Sequence, residues 1–158
     1  MVNKNGMMIL SNLRNNGREK LTNIAKKTKI PISTIFDKIR TYEKNLVIKK
    51  HSCLLNFSKL GYDFDVCLLI KTNKDEKEKL KEFLLTKECI NTIFKTTTCY
   101  DFFVEGIFRD MQELHDFIDL LENEFSLVRN DLLYVIGDLK REDFLNQKLE
   151  VKDEPKRI

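Results

Sequence analysis

The spacing of apolar residues changes near residue 62, and that change restricts the chain to an α+β architecture built from two unlike parts. Before it, apolar side chains return every three or four positions: Ile9, Leu10 and Leu13 in "MMILSNLRNNG", Leu21, Ile24 and Ala25 in "KLTNIAKKT", then Ile35, Ile39, Tyr42 and Leu46. This is the period of helices that bury one stripe. From "YDFDVCLLIKT" onward the period is two, with Phe64, Val66, Leu68 and Ile70 on one face of a strand. Charge divides at nearly the same place. Residues 1–60 hold 13 Lys and Arg against 3 Asp and Glu, whereas residues 61–158 hold 15 against 22, although the whole chain is only +3. A basic part joined to an acidic part predicts that the first alone meets a polyanion.

The basic part reads as three helices and a small wing. Asn16 and Gly17 tolerate the conformations that end the first helix, and Pro31 presets φ at the start of the third. "VIKKHSCLLN" then suggests two short strands around Lys49, Lys50 and His51. In the acidic part, Asn73 with Glu76 and Asp110 with Glu113 have the spacing of capping pairs. Leu80, Phe83 and Leu84 form the inner face of one helix, and Met111, Leu114, Phe117, Ile118 and Leu121 that of another. "CINTIFKTTT" and "YDFFVEGIF" read as a hairpin, and "SLVRNDLLYVIGDL" supplies a last strand. Strand, helix, strand, strand, helix, strand is the ferredoxin-like βαββαβ order. The expected organisation is a winged helix-turn-helix over residues 1–56, a linker over 57–62, the ferredoxin-like domain over 63–137 and a charged tail over 138–158.

Such a sheet carries helices on one face only. Here Cys67 and Leu69, with Leu133 and Val135, put apolar bulk on the other face as well. An uncovered apolar face predicts a partner, so a homodimer is expected through this half. The four cysteines, Cys53, Cys67, Cys89 and Cys99, fit neither zinc-ligand nor CxxC spacing and are read as reduced apolar fillers. No apolar run reaches the roughly 20 residues of a membrane span. A cytoplasmic protein without membrane partner, metal or cofactor is expected.

In the third helix, "PISTIFDKIRTYEK", the apolar stripe forces the polar residues to the opposite side. A helix-turn-helix places its second helix in the major groove, with base edges near that helix's N-terminus and phosphates around it. The expected DNA-binding residues are Ser33, Thr34, Asp37, Lys38, Arg40, Thr41 and Lys44, with Lys49 and Lys50 from the wing. The expected partner is double-stranded DNA.

With these residues in view, the chain resembles the Lrp/AsnC (feast/famine) transcriptional regulators from about residue 7 to residue 137. The matching pieces are "GR" at 17 and 18, "LTNIAKKTKI" at 21–30, "STIFDKIRTYEKNLVIKK" at 33–50, "LLNFSKLG" at 54–61 and "TTTCYDFFVEG" at 96–106. The resemblance implies an N-terminal winged helix that binds DNA as a dimer or higher homo-oligomer. It also implies a C-terminal RAM domain that dimerises through its sheet and binds a small effector such as an amino acid. By the same resemblance the effector loop is Thr97, Thr98, Cys99, Tyr100 and Asp101. Spacing alone reads Asp101 as an exposed charge at a strand start. Three positions where the family carries glycine hold Lys29, Leu46 and Thr98.

Catalysis has little to draw on: the two histidines, His51 and His115, lie in separate parts, and the five glycines form no phosphate loop. Two alternatives share the architecture. A sirohaem-decarboxylase-like enzyme would draw on His115, Arg109 and Arg129. An effector-independent DNA-architectural protein would bind duplexes without selecting among sequences.

Overall fold

The computed structural model describes residues 2–145, which fall into two compact units. The first comprises residues up to Leu54 together with 139–145; the second is Leu55–Asp138. The charged tail expected over 138–158 lies outside the described residues from 146 onward.

In the first unit, α1 (Lys4–Asn15), α2 (Leu21–Thr28) and α3 (Ile32–Lys44) enclose a small core of Ile9, Ile24, Ile30 and Ile35. Asn3 caps α1 through a bond from the Gly6 N–H to its Oδ1 at 3.0 Å. Gly6 itself is buried where α1 meets α3, and a Cβ there would stand 1.9 Å from the Tyr42 hydroxyl. α2 ends at Lys29, whose φ of 60° places a non-glycine residue in the left-handed region. Pro31 stands immediately before α3, with φ −56°.

The end of α3 departs from the sequence expectation in two ways. Leu46 lies beyond the helix, is 71% exposed and has φ 55°, so the buried stripe stops at Tyr42. The two wing strands are also absent: no residue from 47 to 56 pairs in a ladder. The N–H groups of Val47 and Ile48 both donate back to the Tyr42 carbonyl, at 2.8 and 3.0 Å. They close the helix end rather than open a strand, and a two-stranded hairpin without further strands has little stability of its own.

The second unit is a four-stranded antiparallel sheet in the order β2-β3-β1-β4, from β1 (Phe64–Thr72), β2 (Ile90–Lys95), β3 (Phe102–Phe108) and β4 (Leu127–Tyr134). α4 (Lys77–Leu85) and α5 (Met111–Glu124) cover one face. Between them lie Val66, Leu68 and Ile70 of β1, Phe102, Val104 and Phe108 of β3, and Leu80, Leu84, Leu114, Phe117 and Leu121 of the helices. Met111, expected in this core, is 39% exposed at the first turn of α5, where its Sδ accepts a bond from the Tyr134 hydroxyl at 3.7 Å.

Only one of the two expected capping pairs forms. Asp110 Oδ1 accepts from the Glu113 N–H at 2.8 Å, and Glu113 Oε2 accepts from the Arg109 N–H at 2.7 Å. Asn73 makes no side-chain cap, and a short 3₁₀ turn, Lys74–Glu76, precedes α4. Glu76 instead accepts from the Ser126 N–H at 3.0 Å, tying this turn to the entry of β4.

The register sets the sheet's second face. Cys67 stands opposite Glu105 and Leu133, and Leu69 opposite Phe103 and Asp131. Phe94 pairs with Phe103 across β2 and β3, ring centroids 6.0 Å apart. No described element covers this face; Phe94 is 59% and Leu133 51% exposed. Cys53 and Cys99 are likewise exposed rather than filling the interior, while burial pushes the half-buried Cys89 thiol's pKa up.

Candidate nucleic-acid interface

α3 has two chemically distinct sides because its apolar residues return at spacings of four and three. Ile35 and Tyr42 are buried and Ile39 half-buried. On the other side Ser33, Asp37, Arg40, Thr41 and Lys44 are exposed, with Thr34 and Lys38 half-buried on its flank. The Thr41 hydroxyl donates to the Asp37 carbonyl at 2.8 Å, which leaves its oxygen free to accept. Lys49 and Lys50 follow in exposed chain. Among the described residues, none of Lys38, Arg40, Lys44, Lys49 and Lys50 is held in an ion pair, while Lys27 is bound to Glu19 and His51 to Glu43. The face therefore offers hydroxyl oxygens, cations and one carboxylate with no ion pair to break among the described residues.

Sequence reasoning missed Phe36. It is 45% exposed on α3, and the Arg40 guanidinium sits 4.8 Å from its ring centroid. Its place four residues before Arg40 is the signal that could have found it, since i and i+4 are neighbours on a helix.

The β2–β3 connection is the second candidate site. Its backbone is closed by bonds from the Thr96 N–H to the Asp101 carbonyl and from the Asp101 N–H to the Ile70 carbonyl, at 2.9 and 2.8 Å. Asp101 is 6% exposed and so is not the surface charge that spacing suggested. Its carboxylate takes Lys77 Nζ at 2.6 Å, Lys71 Nζ at 3.3 Å and the Thr72 N–H at 3.1 Å. Burial alone would raise its pKa, but the bonds from Lys77, Thr72 and Lys71 outweigh that and hold it below the usual carboxylate range. Thr97, Thr98 and Cys99 are exposed, and Thr98 has φ 73°. The Tyr100 hydroxyl bonds Asp131, which also receives two bonds from Arg129 at 3.2 and 2.8 Å. The Asp131 bond, with burial, pushes the Tyr100 pKa up.

Comparison with known proteins returns regulators of the same two-part build, a helix-turn-helix followed by a ferredoxin-like domain. No family model matches the chain. The HTH-type transcriptional regulator FL11 of Pyrococcus horikoshii is 30% identical over 113 residues, 72% of this chain and 75% of the relative. The chain belongs to the Lrp/AsnC family of transcriptional regulators. Solved structures share its fold: E. coli AsnC superposes with TM-score 0.77 at 18% identity, covering 89% of this chain and 96% of that one. NMB0573 of Neisseria meningitidis, solved as an L-Met complex, does so at 0.81 and 17% identity, covering 89% and 94%.

As an Lrp/AsnC regulator the protein is a DNA-binding protein, and its relatives favour this over the decarboxylase alternative. The three residues on which that enzyme would draw are not gathered. His115 is on the exposed side of α5, and Arg129 lies across the sheet on the uncovered face, bound to Asp131. Arg109 stands before α5 with its guanidinium 5.5 Å from the Tyr62 ring. Among the described residues no group of three His, Cys, Asp or Glu could hold a metal, and no helix is long and apolar enough to cross a membrane.

Proposed function

We propose that this regulator acts in the cytoplasm as a homodimer that selects particular duplex sequences, with α3 in the major groove. Ser33, Thr34, Asp37, Lys38, Arg40 and Thr41 face base edges and nearby phosphates, and Lys44, Lys49 and Lys50 neutralise the backbone. The observation that carries this is the face of α3: hydroxyls and cations not held in ion pairs stand opposite Ile35 and Tyr42, in a part of the chain with a net charge of +10. If about six phosphates are neutralised per half-site, binding to duplex DNA should weaken with salt at a log–log slope near −5. A slope near zero, or equal affinity for selected and bulk DNA, defeats the reading.

A second copy on the uncovered sheet face supplies the pairing. Leu69, Phe94, Phe103 and Leu133 give that face the apolar character of an interface centre. Sedimentation of the full chain should give the dimer mass, and Leu133→Glu should shift it toward monomer.

The regulatory input is assigned to an amino acid at the loop Thr97–Asp101. The class is supported by the L-Met complex of NMB0573. Because Asp101 is occupied by Lys71, Lys77 and Thr72, it anchors the loop, and ligand contacts fall to Thr97, Thr98, Cys99 and Tyr100. Titration with each amino acid, read as a change in DNA affinity, tests this; no response to any of them removes the effector role.

A further inference from the structure

We propose that Phe36 and Arg40 form one base-reading pair: Phe36 packs on a thymine methyl group, and Arg40, steadied by the ring, bonds the major-groove edge of a guanine. The proposal rests on α3 entering the groove. Ile32, Phe36 and Arg40 follow one another at intervals of four residues, so they form a line along the helix. Ile32 and Phe36 are 46% and 45% exposed, an apolar strip beside the polar residues Ser33 and Asp37.

Duplex DNA presents one methyl group in its major groove, that of thymine, and an exposed phenyl ring matches it. Guanine offers O6 and N7 together, which the planar fork of arginine bonds at once. The 4.8 Å stacking of Arg40 on Phe36 restricts the arginine before DNA arrives, so less side-chain freedom is lost on binding. No ion pair among the described residues competes for Arg40. Lysine at the same place would keep the charge and lose the fork.

The test uses the full chain. Binding sites are selected from random duplexes with the native protein, and each thymine of the preferred site is then replaced by deoxyuridine, which removes only the methyl group. At one thymine the native protein should lose about fourfold in affinity. Phe36→Ala should bind the thymine and deoxyuridine duplexes equally. Arg40→Lys should lose about tenfold of the discrimination for guanine at an adjacent position. Phe36→Leu, which keeps an apolar side chain but no ring, should retain part of the methyl effect while weakening guanine selection. A deoxyuridine penalty of equal size in native and Phe36→Ala proteins overturns the pair, as does a uniform loss over all sequences. Native protein that selects a site, with Phe36→Ala selecting the same one, overturns the pair alone. Native protein that selects no site overturns the groove reading as well.

Discussion

The two units reach stability by different means. The second encloses eleven buried apolar side chains between its sheet and two helices, while the first has a core of four isoleucines. Burial scales with the number of layers that can be stacked, and three short helices stack little. What the smaller unit gains is surface: most of α3 remains outward. The larger unit can leave a whole sheet face uncovered and still hold its fold from one side.

Truncations in the two cores should break this contrast most visibly. Ile24→Ala and Leu68→Ala each remove a fully buried side chain and should each cost about 4 kcal/mol. In the four-residue core that loss should abolish DNA binding and hydrogen-exchange protection across α1–α3. In the larger core Leu68→Ala should lower protection in β1 and β3 without erasing it. Equal collapse of both units would show that they do not carry separate stabilities.

Asp101 comes next in size. Replacing it by Ala leaves two lysines and the buried Thr72 N–H without their acceptor, at a cost of about 3 kcal/mol in the second unit. Because its folded pKa is depressed, the carboxylate's contribution is fully present above its unfolded value. It is lost as pH falls through the depressed folded value. Melting of native and Asp101→Asn proteins should therefore differ near neutrality and converge in acid. A gap that widens in acid would contradict the sign. In the first unit, Gly6→Ala should cost about 2 kcal/mol, since its Cβ runs into the Tyr42 hydroxyl. Tyr42→Phe in the same chain should recover part of that loss, measured by thermal melting.

Periodicity made the strands and helices of the second unit legible because each buries one face in the same core, so its apolar residues return at the period of the element. The face of α3 was legible for the same reason. What the sequence hid were features decided by partners distant along the chain. Glu76 has capping spacing from Asn73, yet the Ser126 N–H, fifty residues on, claims it. Asp101 looks like a surface charge until Lys71 and Lys77 close over it. The wing failed as strands because Tyr42 takes the N–H groups of Val47 and Ile48. Phe36 was passed over because its exposure, not its residue type, sets it apart.

The smallest effects concern three positions where family resemblance implied glycine and the chain carries a side chain. Lys29, Leu46 and Thr98 have φ of 60°, 55° and 73°, so the backbone keeps the left-handed conformation without the residue that adopts it freely. Thr98 bears the greatest strain of the three, because a β-branched side chain is rarest there. Its hydroxyl bonds the Thr97 carbonyl at 2.5 Å, a local contact that offsets part of the cost. Thr98→Gly should therefore raise stability by about 1 kcal/mol, less what glycine loses in unfolded-chain entropy. Lys29→Gly and Leu46→Gly should gain less, since neither is β-branched. The comparison of units sharpens here. A given gain should shift melting more in the small first unit than in the second, where about 1 kcal/mol is a smaller share of the total. If Thr98→Gly destabilises the protein instead, the threonine side chain is holding the loop rather than straining it.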